Sequence, residues 1–122
     1  MFRILVIDDD PDIRTVLNIL LRKQGFEVET ASKKEEVFGK IEAFKPSMIL
    51  LDVLLSGYDG RKVCQEIKDD PQTKDIPVIM FSAHPGAAGK FESYGADDFI
   101  SKPVNAETLF SKINQHMKKA EQ

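Results

Sequence analysis

Apolar residues recur along the chain in two alternating patterns. Short, nearly continuous runs lie at residues 3–7, 47–51 and 77–81, with a shorter one at 97–100. Runs of this length, closed off by polar residues, predict buried strands rather than helices. Residues 26–31 alternate apolar and polar, which also suits a strand. Between these runs the apolar residues fall at helical spacing. Ile13, Val16, Leu17, Leu20 and Leu21 share one face, as do Val37, Phe38, Ile41 and Phe44. Val63, Cys64 and Ile67 form a third such face, and Ala106, Leu109, Phe110, Ile113 and Met117 a last one.

The boundaries carry their own signals. Asp10 is placed to cap the first helix, with Pro11 in its first turn and Gly25 to end it. Ser32 and Glu35 have capping-box spacing for a second helix, which runs to Phe44 and stops at Lys45-Pro46. A loop leads from Asp52 to Asp59-Gly60, which cap a third helix that Asp69-Asp70-Pro71 breaks. Residues 85–94 stand where a fourth helix belongs, and Pro85, Gly86 and Gly89 make it a poor one. Asn105 is placed to cap the last helix. Strands alternating with helices imply a parallel sheet covered on both faces. Right-handed crossovers leave few topologies. The expectation is a single α/β domain over residues 1–122, doubly wound, with the flavodoxin-like (βα)5 strand order 2-1-3-4-5. Ligands in such sheets bind at the carboxyl ends of the strands, beside the switch point between the first and third.

Composition narrows the function. The formal net charge is −3, so binding nucleic acid directly through phosphate neutralisation is not expected. Cys64 is the single cysteine, which excludes an internal disulfide and a cysteine-based zinc cluster. His84 and His116 do not form a ligand pair at helical spacing. No apolar stretch approaches the ~20 residues of a membrane span. Met1-Phe2-Arg3-Ile4 enters a strand at once, without a signal-peptide core, so the expected location is cytoplasmic.

The strand-end geometry then brings particular residues together. Asp8, Asp9 and Asp10 follow the first strand, Asp52 the third, Ser82 the fourth and Lys102 the fifth. Clustered carboxylates repel one another, and a hard divalent cation such as Mg²⁺ relieves that repulsion while leaving room for a phosphoryl oxygen. Lys102 supplies a point charge and Ser82 a hydroxyl donor. This set suits phosphoryl transfer by positioning and charge neutralisation. With no histidine or cysteine placed on that edge, the nucleophile is an aspartate. Asp10 reads as a cap, while Asp8 and Asp9 exceed what capping requires.

At these residues the chain resembles the receiver domain of two-component response regulators. The resemblance rests on V-I-D-D-D at 6–10, L-L-D-V-L at 50–54, D-G at 59–60, F-S-A at 81–83, G-A-D-D-F at 95–99 and K-P at 102–103. It implies that Asp52 is the phosphoacceptor, taking its phosphoryl group from a phosphohistidine on a sensor histidine kinase or a histidine phosphotransfer protein. It implies that Asp9 and Asp52 ligate Mg²⁺, with Asp8 acting through water and the Leu54 carbonyl as a further ligand. Lys102 would pair with a phosphoryl oxygen, and Ser82 would bind another and draw its loop inward. Phe99 would be the aromatic switch, and the Lys102–Pro103 bond would be cis. Leu54 and His84 would flank the phosphoryl group and tune its lifetime. The face built by the fourth helix, last strand and last helix would be read by an output protein or domain, as a monomer or a phosphorylation-dependent dimer.

Two departures from the family pattern stand out. Leu55-Ser56 replaces its usual Met-Pro, and the stretch from Ser82 to Lys102 is shorter than usual. A different class also fits part of the pattern. Asp8 and Asp10 have the D-x-D spacing of haloacid dehalogenase-type hydrolases, although Asp12 stands where that family has Thr or Val.

Overall fold

Residues 2–55, 57–83 and 91–120 are described by the computed structural model, with side chains as far as Met117. Strand β1 (Arg3–Ile7) leads into α1 (Pro11–Lys23), β2 (Glu27–Ala31) and α2 (Val37–Phe44). Strand β3 (Met48–Asp52) is followed by two two-residue strands, β4 (Leu54–Leu55) and β5 (Tyr58–Asp59), and by α3 (Gly60–Asp69). Strands β6 (Val78–Ser82) and β7 (Asp98–Ser101) and helix α4 (Ala106–Ala120) follow among the described residues. Five strands form one parallel sheet in the order β2-β1-β3-β6-β7. This is the expected flavodoxin-like order, once the small antiparallel β4–β5 pair is set aside.

Side-chain alternation along the strands divides the core in two. Leu5, Ile7, Ile49, Leu51, Val78, Met80 and Phe99 face Val37, Ile41, Val63, Cys64 and Ile67 of α2 and α3. Ile4, Val6, Met48, Leu50, Ile79, Phe81 and Ile100 face Leu17, Leu21, Leu109 and Ile113 of α1 and α4. Burying each such side chain contributes about 1.5–3 kcal/mol, which makes the double cover the main source of stability. Cys64 lies within the first layer, where burial pushes its thiol up to about 12 and leaves it protonated.

The helix ends follow their sequence signals with one shift. Asp10 caps α1 by accepting the Asp12 N–H at 2.9 Å. Gly25, at φ +91°, ends it with paired bonds from Gly25 N–H to the Arg22 carbonyl and from Phe26 N–H to the Leu21 carbonyl. Asp59 caps α3, and the Asn105 side chain accepts from Thr108 N–H at 3.2 Å. At α2 the reciprocal carboxylate is Glu36 rather than Glu35. A 3₁₀ turn over Lys34–Glu36 precedes the helix, with Lys33 as its cap residue, so the side chain that reaches back to the Ser32 N–H and hydroxyl belongs to Glu36. Two residues expected on buried faces lie outside: Val16 is 53% exposed, and Phe38 sits at the rim of a surface cavity of about 590 Å³ with Glu42 and Asp70.

The expected fourth helix falls largely on residues 84–90, outside the described residues. Residues 91–94 form a short 3₁₀ turn that packs on β7. On the opposite layer α4 is bonded to β7 through one carboxylate. Asp98 receives Lys112 Nζ at 2.6 Å and faces His116 Nε2 at 3.0 Å. Burial works to raise the Asp98 carboxyl, but these bonds and the Phe99 N–H hold it below the ordinary value. Among the described residues no helix is long and apolar enough to cross a membrane.

Candidate functional site

Parallel pairing places the strand ends side by side. Ile7 pairs with Leu51, Asp52 with Phe81 and Ser82 with Ser101. The next residues out, Asp8 and Lys102, therefore stand beside Asp52 and Ser82. Asp8 is fully buried, Asp52 is 5% exposed and Ser82 is buried as well. Carboxylate oxygens of Asp8, Asp9 and Asp52 lie within 4.8 Å of one another.

Hydrogen bonds fix each group. Asp8 N–H donates to the Ala31 carbonyl at 3.1 Å, and one Asp8 carboxylate oxygen accepts the Asp10 N–H at 2.8 Å. The other accepts Lys102 Nζ at 3.1 Å. Lys102 also reaches Asp52 at 3.4 Å, while the second Asp52 oxygen accepts the Leu54 N–H at 3.3 Å. The Lys102 side chain is only 16% exposed, and its ammonium lies 5.0 Å from the Phe81 ring centre. Its backbone N–H is tied to the Ser82 carbonyl at 2.8 Å, and the peptide to Pro103 is cis.

The charges do not balance. Two buried carboxylates, with Asp9 close by, face one ammonium. Burial and then the charge of Asp8 push the Asp52 carboxyl up to about 6, against the pull of Lys102 and the Leu54 N–H. Burial also raises Asp8, opposed by the Asp10 N–H and Lys102. Three clustered oxygen donors with excess negative charge are the donor set of a hard divalent cation, and they fit one.

The structure brings Asp8, Asp9, Asp52 and Lys102 together, with Ser82 on the neighbouring strand end. Leu54 lies beside Asp52 with its side chain 52% exposed. Phe99, paired with Met80 in the sheet, is buried and stacked on Phe91 at 6.3 Å between ring centres. His84 lies outside the described residues. Asp10 is occupied in capping α1, which leaves the D-x-D pair without its second member at the site.

Two contributors escaped the sequence reading. Gly60, read there as part of a helix start and of the D-G motif but given no role at the site, packs directly on the main chain of β3. A methyl group at that position would overlap the Asp52 carbonyl, and Gly60 N–H donates to the Val53 carbonyl at 2.6 Å. Its signal was the D-G pair itself, since glycine marks close backbone approach. The second is Arg14, whose Nη1 donates to the Asp8 carbonyl at 2.8 Å.

The response regulator receiver domain model matches residues 4–114. This chain belongs to that family. The receiver is 33% identical over 99% of its length to the DNA-binding dual master transcriptional regulator RpaA of Synechocystis, covering 51% of that protein. It is 36% identical over 91% of its length to response regulator PleD of Caulobacter vibrioides, covering 25% of it. The receiver thus spans about half of the first of these curated relatives and a quarter of the second. Among solved structures, the receiver domain of NtrX from Brucella abortus shares 34% identity with a TM-score of 0.86, over 94% of this chain and 98% of that one. A two-component response regulator from Clostridium difficile superposes over the full length of both chains with a TM-score of 0.90 at 27% identity.

The raised Asp52 carboxyl has a stability consequence. A carboxyl whose folded value lies above its unfolded one contributes stability below about pH 4 that is lost as pH rises through about 6. In chelator, Asp52→Asn is expected to be more stable than wild type at about pH 8 by on the order of 1–2 kcal/mol, and by less at about pH 5. Urea unfolding of both proteins at the two pH values checks this. A difference independent of pH would contradict the assignment.

Proposed function

We propose that this receiver accepts a phosphoryl group on Asp52 from a phosphohistidine of a sensor histidine kinase or a histidine phosphotransfer protein. The observation that carries the reading is the buried pair of carboxylates, Asp8 and Asp52, sharing a single ammonium at the carboxyl edge of a parallel sheet. The residues that would hold Mg²⁺ are Asp8, Asp9 and Asp52, with the Leu54 backbone carbonyl. Bound there, the ion supplies positive charge to both the carboxylates and the phosphoryl oxygens.

Each residue has a task in the transfer. An Asp52 oxygen forms a bond to phosphorus as the phosphorus–nitrogen bond breaks, and the electron pair returns to the histidine ring. Lys102 is within reach of Asp52 and pairs with a phosphoryl oxygen as charge moves onto the aspartyl group. The Ser82 hydroxyl donates to another phosphoryl oxygen. That bond draws the end of β6 inward and favours a new position for Phe99. Phe99 stacks on Phe91 and follows Asp98, so its movement is felt by residues 91–94, β7 and α4. An output protein or domain reads that face, in a monomer or a phosphorylation-dependent dimer. The net charge of −3 argues that this domain does not itself grip nucleic acid.

The donor's approach is also marked. Ile13, Val16, Leu17 and Leu20 of α1 line an apolar groove with Pro103 and Val104, and Lys102 forms its edge toward Asp52. A helix carrying the phosphohistidine would fit this place, since Lys102 lines the groove and lies 3.4 Å from Asp52.

Intact-protein mass after incubation with acetyl phosphate tests the assignment. Wild type is expected to gain one phosphoryl group in Mg²⁺ and none in chelator, and Asp52→Ala to gain none. Equal uptake by Asp52→Ala would overturn the phosphoacceptor assignment. An exposed apolar side chain at Leu54, beside Asp52, would hinder water at the product. Leu54→Asn is therefore expected to lose the group severalfold faster once donor is removed, and an unchanged decay rate would contradict this role.

A further inference from the structure

The peptide group joining Asp8 to Asp9 links two of the carboxylates that would hold the metal, so its orientation sets where both side chains point. Its N-terminal side is anchored by the Asp8 N–H on the Ala31 carbonyl at 3.1 Å. Its carbonyl is held from the other direction by Arg14, whose guanidinium reaches back from the second turn of α1 at 2.8 Å. The Arg14 N–H bonds the Asp10 carbonyl at 3.1 Å, so the arginine is fixed to the same turn that it braces. We infer that Arg14 is a positioning residue for the metal-holding pair Asp8 and Asp9, acting through the main chain rather than by touching the ion or the phosphoryl group. The inference rests on the metal reading proposed above.

Charge and position pull in opposite directions here, which makes the inference testable by sign. A cation this close to a divalent-ion site opposes the ion by Coulomb repulsion. If Arg14 were only a nearby charge, its removal would tighten Mg²⁺ binding. If it holds the Asp8–Asp9 peptide, its removal weakens binding, as loss of groups that orient metal ligands does elsewhere. Lysine keeps the charge but offers a point donor on a shorter reach, so it is a partial replacement.

The experiment is calorimetric titration of Mg²⁺ into wild type, Arg14→Met and Arg14→Lys, together with the thermal unfolding midpoint of each in chelator. Arg14→Met is expected to raise the dissociation constant by about tenfold. Arg14→Lys is expected to fall between it and wild type. With acetyl phosphate, the Arg14→Met phosphorylation rate is expected to need more Mg²⁺ and to approach the wild-type maximum at saturation. Unchanged or tighter Mg²⁺ binding by Arg14→Met overturns the inference. Should that variant not fold, binding by Arg14→Lys as tight as wild type overturns it instead. A wild type that takes up no Mg²⁺ overturns the metal reading together with this one.

Discussion

Lys102 places one ammonium between two buried carboxylates, and the rest of the structure follows from the charge left over. At 3.1 Å from Asp8 and 3.4 Å from Asp52, that ammonium satisfies neither fully. Burying unpaired charge is costly. The fold tolerates it here because backbone N–H groups of Asp10 and Leu54 each take one carboxylate oxygen. What remains is a site with a standing demand for positive charge. A divalent cation would meet that demand, and in the function proposed above the same ion and the same lysine would face the phosphoryl group.

The sheet makes this arrangement possible. Parallel strands end on the same edge, so β3 and β6 bring their last residues, Asp52 and Ser82, beside the residues that follow β1 and β7, Asp8 and Lys102. The two hydrophobic layers hold those ends in register, with α2 and α3 on one face and α1 and α4 on the other. Gly60 lets α3 approach until its first turn rests on the Asp52 main chain, and Arg14 braces the opposite strand end. Backbone contacts thus hold both strand ends, Asp52 through Gly60 and Asp8 through Arg14. On β7, Phe99 packs in the layer covered by α2 and α3, while the adjacent Asp98 is bonded to Lys112 and His116 of the last helix.

Much of this was legible in the sequence. Four short apolar runs and one alternating stretch marked the five strands, and crossover handedness left few strand orders, the flavodoxin-like one being expected. Asp10, Pro11, Gly25 and Asp59 marked helix ends through local chemistry that tertiary contacts did not override. The convergence of Asp8, Asp9, Asp52, Ser82 and Lys102 followed from topology alone. Other features left no periodic trace. The pair Leu54–Leu55 and Tyr58–Asp59 is too short to show alternation. Helical spacing places Val16 and Phe38 on an apolar face without saying how far the neighbouring elements extend over it. The shift from Glu35 to Glu36 depends on the 3₁₀ winding of one turn. Arg14 acts on a main-chain carbonyl, and a side chain bonded to backbone has no partner residue type to search for.

The central claim is that Asp52 is held short of comfortable ionisation by burial and by Asp8, and that a divalent cation completes the site. Proton release on Mg²⁺ binding tests it directly. Calorimetric titrations in buffers of differing ionisation enthalpy count the protons displaced. With Asp52 pushed up to about 6, binding at about pH 6 is expected to release a substantial fraction of a proton and binding at about pH 8 very little. Binding that releases no protons at the lower pH, or the same number at both, would contradict the account.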